Sequence, residues 1–329
     1  MRQVILDFPK QFRAGIEAAK EANFIRKISA ENIIICAMGG SALPGNILKA
    51  VNKSLKLTKL PIFIHRDYGL PGETSKKSLV VCISYSGNTE ETLSAFKEAK
   101  KRKIKIVVIA SGGKLIDIAK KNKIPFIKVP SGIQPRCALG YQFSALAKTL
   151  SRMGLIKNIA KELLILEKDL QPKKIETKGR NIANDLTKSI PLVYSSEDFS
   201  FLAKIWKIKF NENSKVPSFF NFFPELNHNE IVGMAETRIR EAKRLFKVII
   251  LRDKNGDKRI LKRVKVTSEI LKNKGIKIIF VNIQGKGFLE KIFSNILLGD
   301  WISYYLALSQ KINPGPVKTV EDFKRRLAK

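Results

Sequence analysis

Acidic residues, histidine and cysteine are all scarce in this chain of 329 residues, and each shortage narrows what it can do. Asp and Glu together number 29 against 62 Lys and Arg, and histidine occurs twice, at His65 and His228. With three cysteines in no metal-type spacing, a zinc cluster is not expected, and neither a metal nor a cofactor is called for. Cys36 and Cys82 lie inside apolar runs and Cys137 stands alone, which predicts reduced thiols in a cytoplasmic protein. No uncharged apolar stretch reaches the ~18 residues that span a bilayer, and residues 1–7 meet an acid before any signal-peptide core. A soluble protein with no membrane partner is expected. Nucleotide fingerprints are missing too, since neither G-x-G-x-x-G nor G-K-[ST] occurs.

What is abundant is lysine. The formal net charge is +33, made of 46 Lys and 16 Arg spread through both halves. Specific nucleic-acid readers cluster arginine on a recognisable helix-turn-helix, finger or RNP element, and none is present. The excess reads as a solvated basic surface that steers small anions inward, with no specific nucleic-acid partner.

Apolar runs at 33–37, 61–64, 79–83, 104–110 and 126–129 alternate with segments of helical spacing. That alternation predicts a doubly wound α/β domain with a parallel sheet covered on both faces. After a lysine-rich helical stretch the pattern restarts at 191–195, 216–220, 246–251 and 276–281, with helices over 199–210, 258–272 and 288–308 and a C-terminal helix from Thr319. The pattern predicts two doubly wound parallel-sheet domains, residues 1–152 and 153–329.

Only the first copy has strand ends rich in glycine and hydroxyls: Gly39-Gly40-Ser41, Ser84-Tyr85-Ser86-Gly87-Asn88-Thr89 and Ser111-Gly112-Gly113. In a parallel sheet all three fall at the carboxyl edge, where such folds bind ligands. The turn at 84–89 runs straight into a helix, whose unpaired N–H groups and partial positive charge suit a phosphate. Read by itself, the same turn is also a plain helix cap, with Asn88 or Thr89 capping and Glu90 and Glu91 opposing an anion. Three such turns at one sheet edge favour the anion site.

Met38-Gly39-Gly40-Ser41, the 84–92 turn, Pro130-Ser131-Gly132-Ile133-Gln134-Pro135-Arg136 and Pro224-Glu225-Leu226-Asn227-His228-Asn229-Glu230 together resemble the bifunctional phosphoglucose/phosphomannose isomerases, proteins of two sugar-isomerase (SIS) domains. The likeness runs from about Asn23 to Lys318. It implies two SIS-type domains and interconversion of glucose 6-phosphate, and of mannose 6-phosphate, with fructose 6-phosphate through a cis-enediol. It implies that Gly39, Gly40, Ser41, Ser84, Ser86 and Thr89 hold sugar and phosphate. Glu212 matches the family's base, His228 its ring-opening histidine, Arg136 its active-site arginine and Lys318 its C-terminal lysine. Family members are homodimers in which the histidine serves the neighbouring subunit's site.

The residues themselves leave alternatives open. Glu212 ends a stripe of Phe201, Ile205 and Ile208, where burial would raise its pKa toward that of a general base; it is equally an ordinary acid in a last helical turn. His228 suits proton exchange or a hydrogen-bonded turn. Arg136 follows a stiffening proline at a sheet edge, where a guanidinium would stabilise an enediolate, but most arginines are solvated. Lys318 precedes a helix start, where the dipole does not explain a cation. Two rivals remain: the isomerase half of a glucosamine-6-phosphate synthase, which carries a glutaminase domain ahead of its SIS pair, and a non-catalytic sugar-phosphate sensor, which pairs one SIS domain with a DNA-binding or nucleotide module.

Overall fold

A computed structural model describes residues 1–22 and 26–327; Asn23, at which the family resemblance begins, lies outside that set. The chain forms two compact units, Leu6–Gln171 and Met1–Ile5 with Pro172–Lys329. The break therefore falls at Gln171, not at residue 152 as the sequence pattern suggested. The helix Ala160–Asp169 belongs to the first unit because Leu163 and Leu166 are buried there and Glu167 pairs with Arg13 at 2.9 Å.

In the first unit β1 (Ile33–Cys36), β2 (Ile62–His65), β3 (Leu79–Ile83), β4 (Lys105–Ala110) and β5 (Phe126–Lys128) form one parallel sheet of order β2-β1-β3-β4-β5. β1 and β3 are buried along their whole length, and β4 after its first residue, which is why they read as continuous Ile/Val runs without alternation. Cys36 and Cys82 sit side by side in the β1–β3 register at the centre of this sheet.

The second unit repeats the wiring with one strand fewer. β6 (Ile190–Ser196), β7 (Phe219–Phe223), β8 (Phe246–Arg252) and β9 (Lys277–Asn282) run parallel in the order β7-β6-β8-β9. β7 begins three residues later than the sequence pattern predicts. Pro217 has no N–H for the ladder, and Ser218 donates its hydroxyl to the Pro191 carbonyl at 2.7 Å, so regular pairing starts only at Phe219. The C-terminal helix, Lys318–Leu327, starts one residue before Thr319.

Burial pushes the Cys36 thiol up to about 12 and raises that of Cys82 as well. Both should react with a thiol reagent at pH 8 at least about a hundredfold more slowly in the folded protein than after denaturation. Stopped-flow labelling of the native and unfolded chain checks this, and rapid native labelling of either cysteine would refute it.

Candidate active site

The strand order of the first unit sets where a ligand can sit. From β1 the chain crosses to β2 on one side, and from β3 to β4 on the other, so a crevice opens at the carboxyl ends of β1 and β3. Gly39–Ser41 leave the first of these ends and Ser84–Thr89 the second.

Hydrogen bonds weld the turns into one rim. The Tyr85 N–H donates to Ser41 Oγ at 2.9 Å, joining the β1 and β3 turns. Ser111 donates its hydroxyl to the Tyr85 carbonyl at 2.6 Å, adding the β4 turn, and the Tyr85 phenol donates to the Pro130 carbonyl at 2.8 Å, adding the loop after β5. That loop carries Arg136, which is 2% exposed. A Cβ on Gly40 would stand 2.8 Å from the Arg136 backbone nitrogen, so only glycine lets the β1 turn and the arginine segment meet. Gln11 secures the segment from below, donating to the Cys137 carbonyl at 2.8 Å and accepting from the Gly140 N–H at 3.0 Å. Gly39, Gly40, Ser41, Ser84, Ser86, Thr89 and Arg136 are thus gathered on one sheet edge.

The hydroxyls divide into two groups. Ser84 is 1% exposed; its oxygen lies 2.8 Å from Thr89 Oγ1 and accepts from the Gly87 N–H at 3.1 Å. Ser41 is buried as well, whereas Ser86 is exposed. Ser41 and Ser84 bond within the rim, and the exposed Ser86 accepts from the Asn88 N–H at 3.3 Å. Thr89 is the N-cap residue of the helix Glu90–Lys101, yet its side chain makes no cap hydrogen bond. Asn88, the other capping candidate, accepts instead from the Lys114 N–H at 3.0 Å, so neither Thr89 nor Asn88 is seen capping that helix. Desolvation and then the nearby Glu90 carboxylate raise the Tyr68 phenol's pKa, which puts Glu90 beside the loop after β2.

At the equivalent place in the second unit the outcome is reversed. Between β8 and the helix Lys258–Asn273, Asp257 accepts from the Arg259 N–H at 2.7 Å and caps the helix. The Arg259 guanidinium and backbone N–H pull the Asp257 carboxyl down to about 2. A built-in carboxylate occupies this helix end where the first unit has hydroxyls.

Glu212 and Lys318 open onto one cleft of about 940 Å³ in the second unit, lined also by Asn211, Ser218 and Thr319. Glu212 is half-buried on a single π-helical turn, Phe210–Ser214, that extends the helix Ser200–Lys209. Such turns recur at functional sites. Sequence spacing treats the segment as continuous α-helix and gives no warning of the π turn. Nor does it single out Asn213 and Ser303, whose side chains bond at 2.9 Å directly behind Glu212.

His228 does not line that cleft. It is exposed at the end of a short turn, Glu225–His228, that follows β7, while Ser218 and Phe219 at the start of β7 border the cleft. Roughly 13 Å of strand thus separates the two places within this unit. Leu226, buried beneath the turn, and Asn227, which donates to Thr267 at 2.7 Å, hold it in place. Glu230 adds a clamp that sequence spacing does not reveal, accepting from Tyr194 and Asn221 at 2.5 Å each. Among the described residues no group of three His, Cys, Asp or Glu is arranged to hold a metal ion.

Two parallel-sheet domains in tandem, one with a hydroxyl-lined rim at its sheet edge, define a protein of the SIS class. The SIS domain family matches residues 28–127, and the family described as the bacterial phospho-glucose isomerase C-terminal SIS domain matches residues 175–327. A bifunctional phosphoglucose/phosphomannose isomerase of Caldicellulosiruptor bescii is 36% identical over 341 residues, covering 100% of this chain and 99% of that protein. A D-glucosamine-6-phosphate 4-epimerase of Sulfolobus acidocaldarius is 36% identical over 62% of this chain and 64% of its own length. Among solved structures, the C-terminal domain of glucosamine-fructose-6-phosphate aminotransferase from Francisella tularensis shares the fold, with a TM-score of 0.72 at 18% identity over 96% of this chain and 98% of that one. The chain belongs to the bifunctional phosphoglucose/phosphomannose isomerase family.

Ser84→Ala should cost about 1 kcal/mol of stability, because the Thr89 hydroxyl loses its partner at 2.8 Å, while the Gly87 N–H keeps the Ser84 carbonyl at 3.0 Å. Ser86→Ala should leave stability within about 0.5 kcal/mol and instead weaken inorganic phosphate binding. Denaturant melts and phosphate titration of both variants test the division, and the reverse pattern would refute it.

Proposed function

We propose that this protein interconverts glucose 6-phosphate and mannose 6-phosphate with fructose 6-phosphate. The observation that carries the reading is the shared cleft of Glu212 and Lys318, in a chain whose Caldicellulosiruptor relative matches it along its full length. An aldose–ketose interconversion needs a base that moves a proton between C2 and C1, a cation beside the enediolate, and an acid/base pair to open the ring. Glu212 takes the first role and Arg136 the second, with His228 and Lys318 opening the ring. Ser86, with the uncapped helix start behind it, binds phosphate, and Ser41, Ser84 and Thr89 with Gly39 and Gly40 shape that pocket.

The distance along β7 between the Glu212 cleft and His228 argues that a histidine acting with Glu212 comes from a second copy of the chain. A homodimer is therefore part of the proposal. A cytoplasmic location accords with the buried thiols of Cys36 and Cys82 and a phosphorylated substrate.

Purified protein given each aldose phosphate with EDTA present should form fructose 6-phosphate, and Glu212→Gln should lower kcat by at least about a thousandfold while phosphate still binds. Full turnover in that variant would remove Glu212 from the mechanism. Glucosamine 6-phosphate belongs in the same assay. Its epimerisation, with no fructose 6-phosphate from the other sugars, would overturn the isomerase reading in favour of the reaction named for the Sulfolobus relative.

The dimer has its own check. Glu212→Gln and His228→Ala homodimers, each inactive, should regain about a quarter of wild-type activity once mixed and allowed to exchange subunits, because half the dimers then hold one intact site. No recovery after proven exchange would mean that the histidine acts within its own chain.

A further inference from the structure

At the π turn that carries Glu212 the backbone leaves α-helical geometry, and each extra residue in a helix rotates the residues after it by about 100°. The rotation leaves Asn213 and Ser214 buried, while Asn211 and Glu212 line the cleft. Local bonds close the turn, with the Lys215 N–H on the Phe210 carbonyl and the Lys215 ammonium on the Glu212 carbonyl, but they do not set its rotation against the rest of the unit.

One helix, Phe288–Ser309, supplies the restraint. Trp206 donates its indole N–H to the Asn295 carbonyl at 2.9 Å, just ahead of the π turn. Lys209 forms an ion pair with Asp300, their side chains only 2% and 6% exposed. Asn213 donates to Ser303 Oγ at 2.9 Å, and Ser214 donates to the Ser303 carbonyl at 2.8 Å. Polar contacts thus fix the turn at its first residue boundary and again just after Glu212.

A buried ion pair is an expensive way to gain stability, because two charges leave water; apolar residues of similar volume commonly do as well or better. Directionality is what such a pair adds. Apolar surfaces tolerate a helix rotating or slipping by a fraction of a residue, whereas an ammonium facing one carboxylate does not. We propose that Lys209, Asp300 and Ser303 are positioning residues, locking the π turn against the 288–309 helix so that residue 212, and not residue 213, faces the cleft. The inference rests on the reading of Glu212 as the base.

The decisive variant is the volume-matched double substitution Lys209→Met/Asp300→Leu, which removes both charges together. It should keep its thermal midpoint within a few degrees of wild type and its KM within about twofold, yet lose at least about tenfold in kcat. The control is a second ion pair of the same unit, Lys291 with Asp253 at 2.7 Å, which does not touch the π turn. Lys291→Met/Asp253→Leu should leave kcat unchanged. Should the Lys209/Asp300 double variant not fold, Ser303 decides: Ser303→Ala should lower kcat several-fold, and Ser303→Thr, which keeps the hydroxyl, should restore it.

Wild-type kcat in the double variant or in Ser303→Ala, or an equal loss in the control pair, would overturn the proposal. Glu212→Gln, assayed alongside, separates the two failures. Turnover retained there rejects the base itself and the inference with it; turnover lost there, with normal kcat in the positioning variants, rejects the positioning role alone.

Discussion

The contact between the Ser84 and Thr89 hydroxyls is the constraint on which the first unit's chemistry depends. A threonine at a helix N-cap ordinarily bonds to the helix it precedes. Here it turns back toward the strand, which shapes the turn and leaves Thr89 making no cap bond to the helix. The rest of the rim serves that arrangement: Tyr85 is held from three sides by Ser41, Ser111 and Pro130, and the loop bearing Arg136 is braced by Gln11. Strand order brings the turns to one edge, and these bonds give the edge its form.

The second unit solves a different problem. Its cleft depends on a helix end being put in an unusual phase, and the side chains that set the phase belong to a helix some ninety residues further along the chain. A site built in this way tolerates little change in its support. Moving a carboxylate by one helical position would exchange Glu212 for an amide, and an amide cannot take up a proton as a base does.

Much of this was legible in the sequence, for reasons that can be named. Strands buried on both faces, such as β3 and β4, announce themselves as unbroken apolar runs, and the glycine and serine turns stand out because they come directly after those runs. The start of β7 was misread because phenylalanines crowd the positions after Pro217 and Ser218, so hydrophobicity alone does not show where pairing begins. The domain boundary was misread because the amphipathic helix Ala160–Asp169 presents the same stripe whichever unit it packs on. The direction of the Thr89 hydroxyl and the π turn could not be read at all. Both are fixed by partners elsewhere in the chain, and residue type carries no information about which partner wins. The family resemblance supplied Glu212, His228, Arg136 and Lys318 as candidates, while the bonds around them, such as those of Glu230 and Ser303, came only from the structure.

Asp257 gives the two halves of the chain different thermodynamic characters. A domain whose helix end is already neutralised by its own carboxylate has no vacancy for an external anion and stands at its full stability in plain buffer. A domain whose helix end binds phosphate, as proposed for the first unit, holds part of its stability in reserve, released in proportion to the logarithm of ligand concentration over Kd. On the proposed assignment, the chain joins a half of constant stability to one whose resistance to unfolding rises with sugar phosphate concentration.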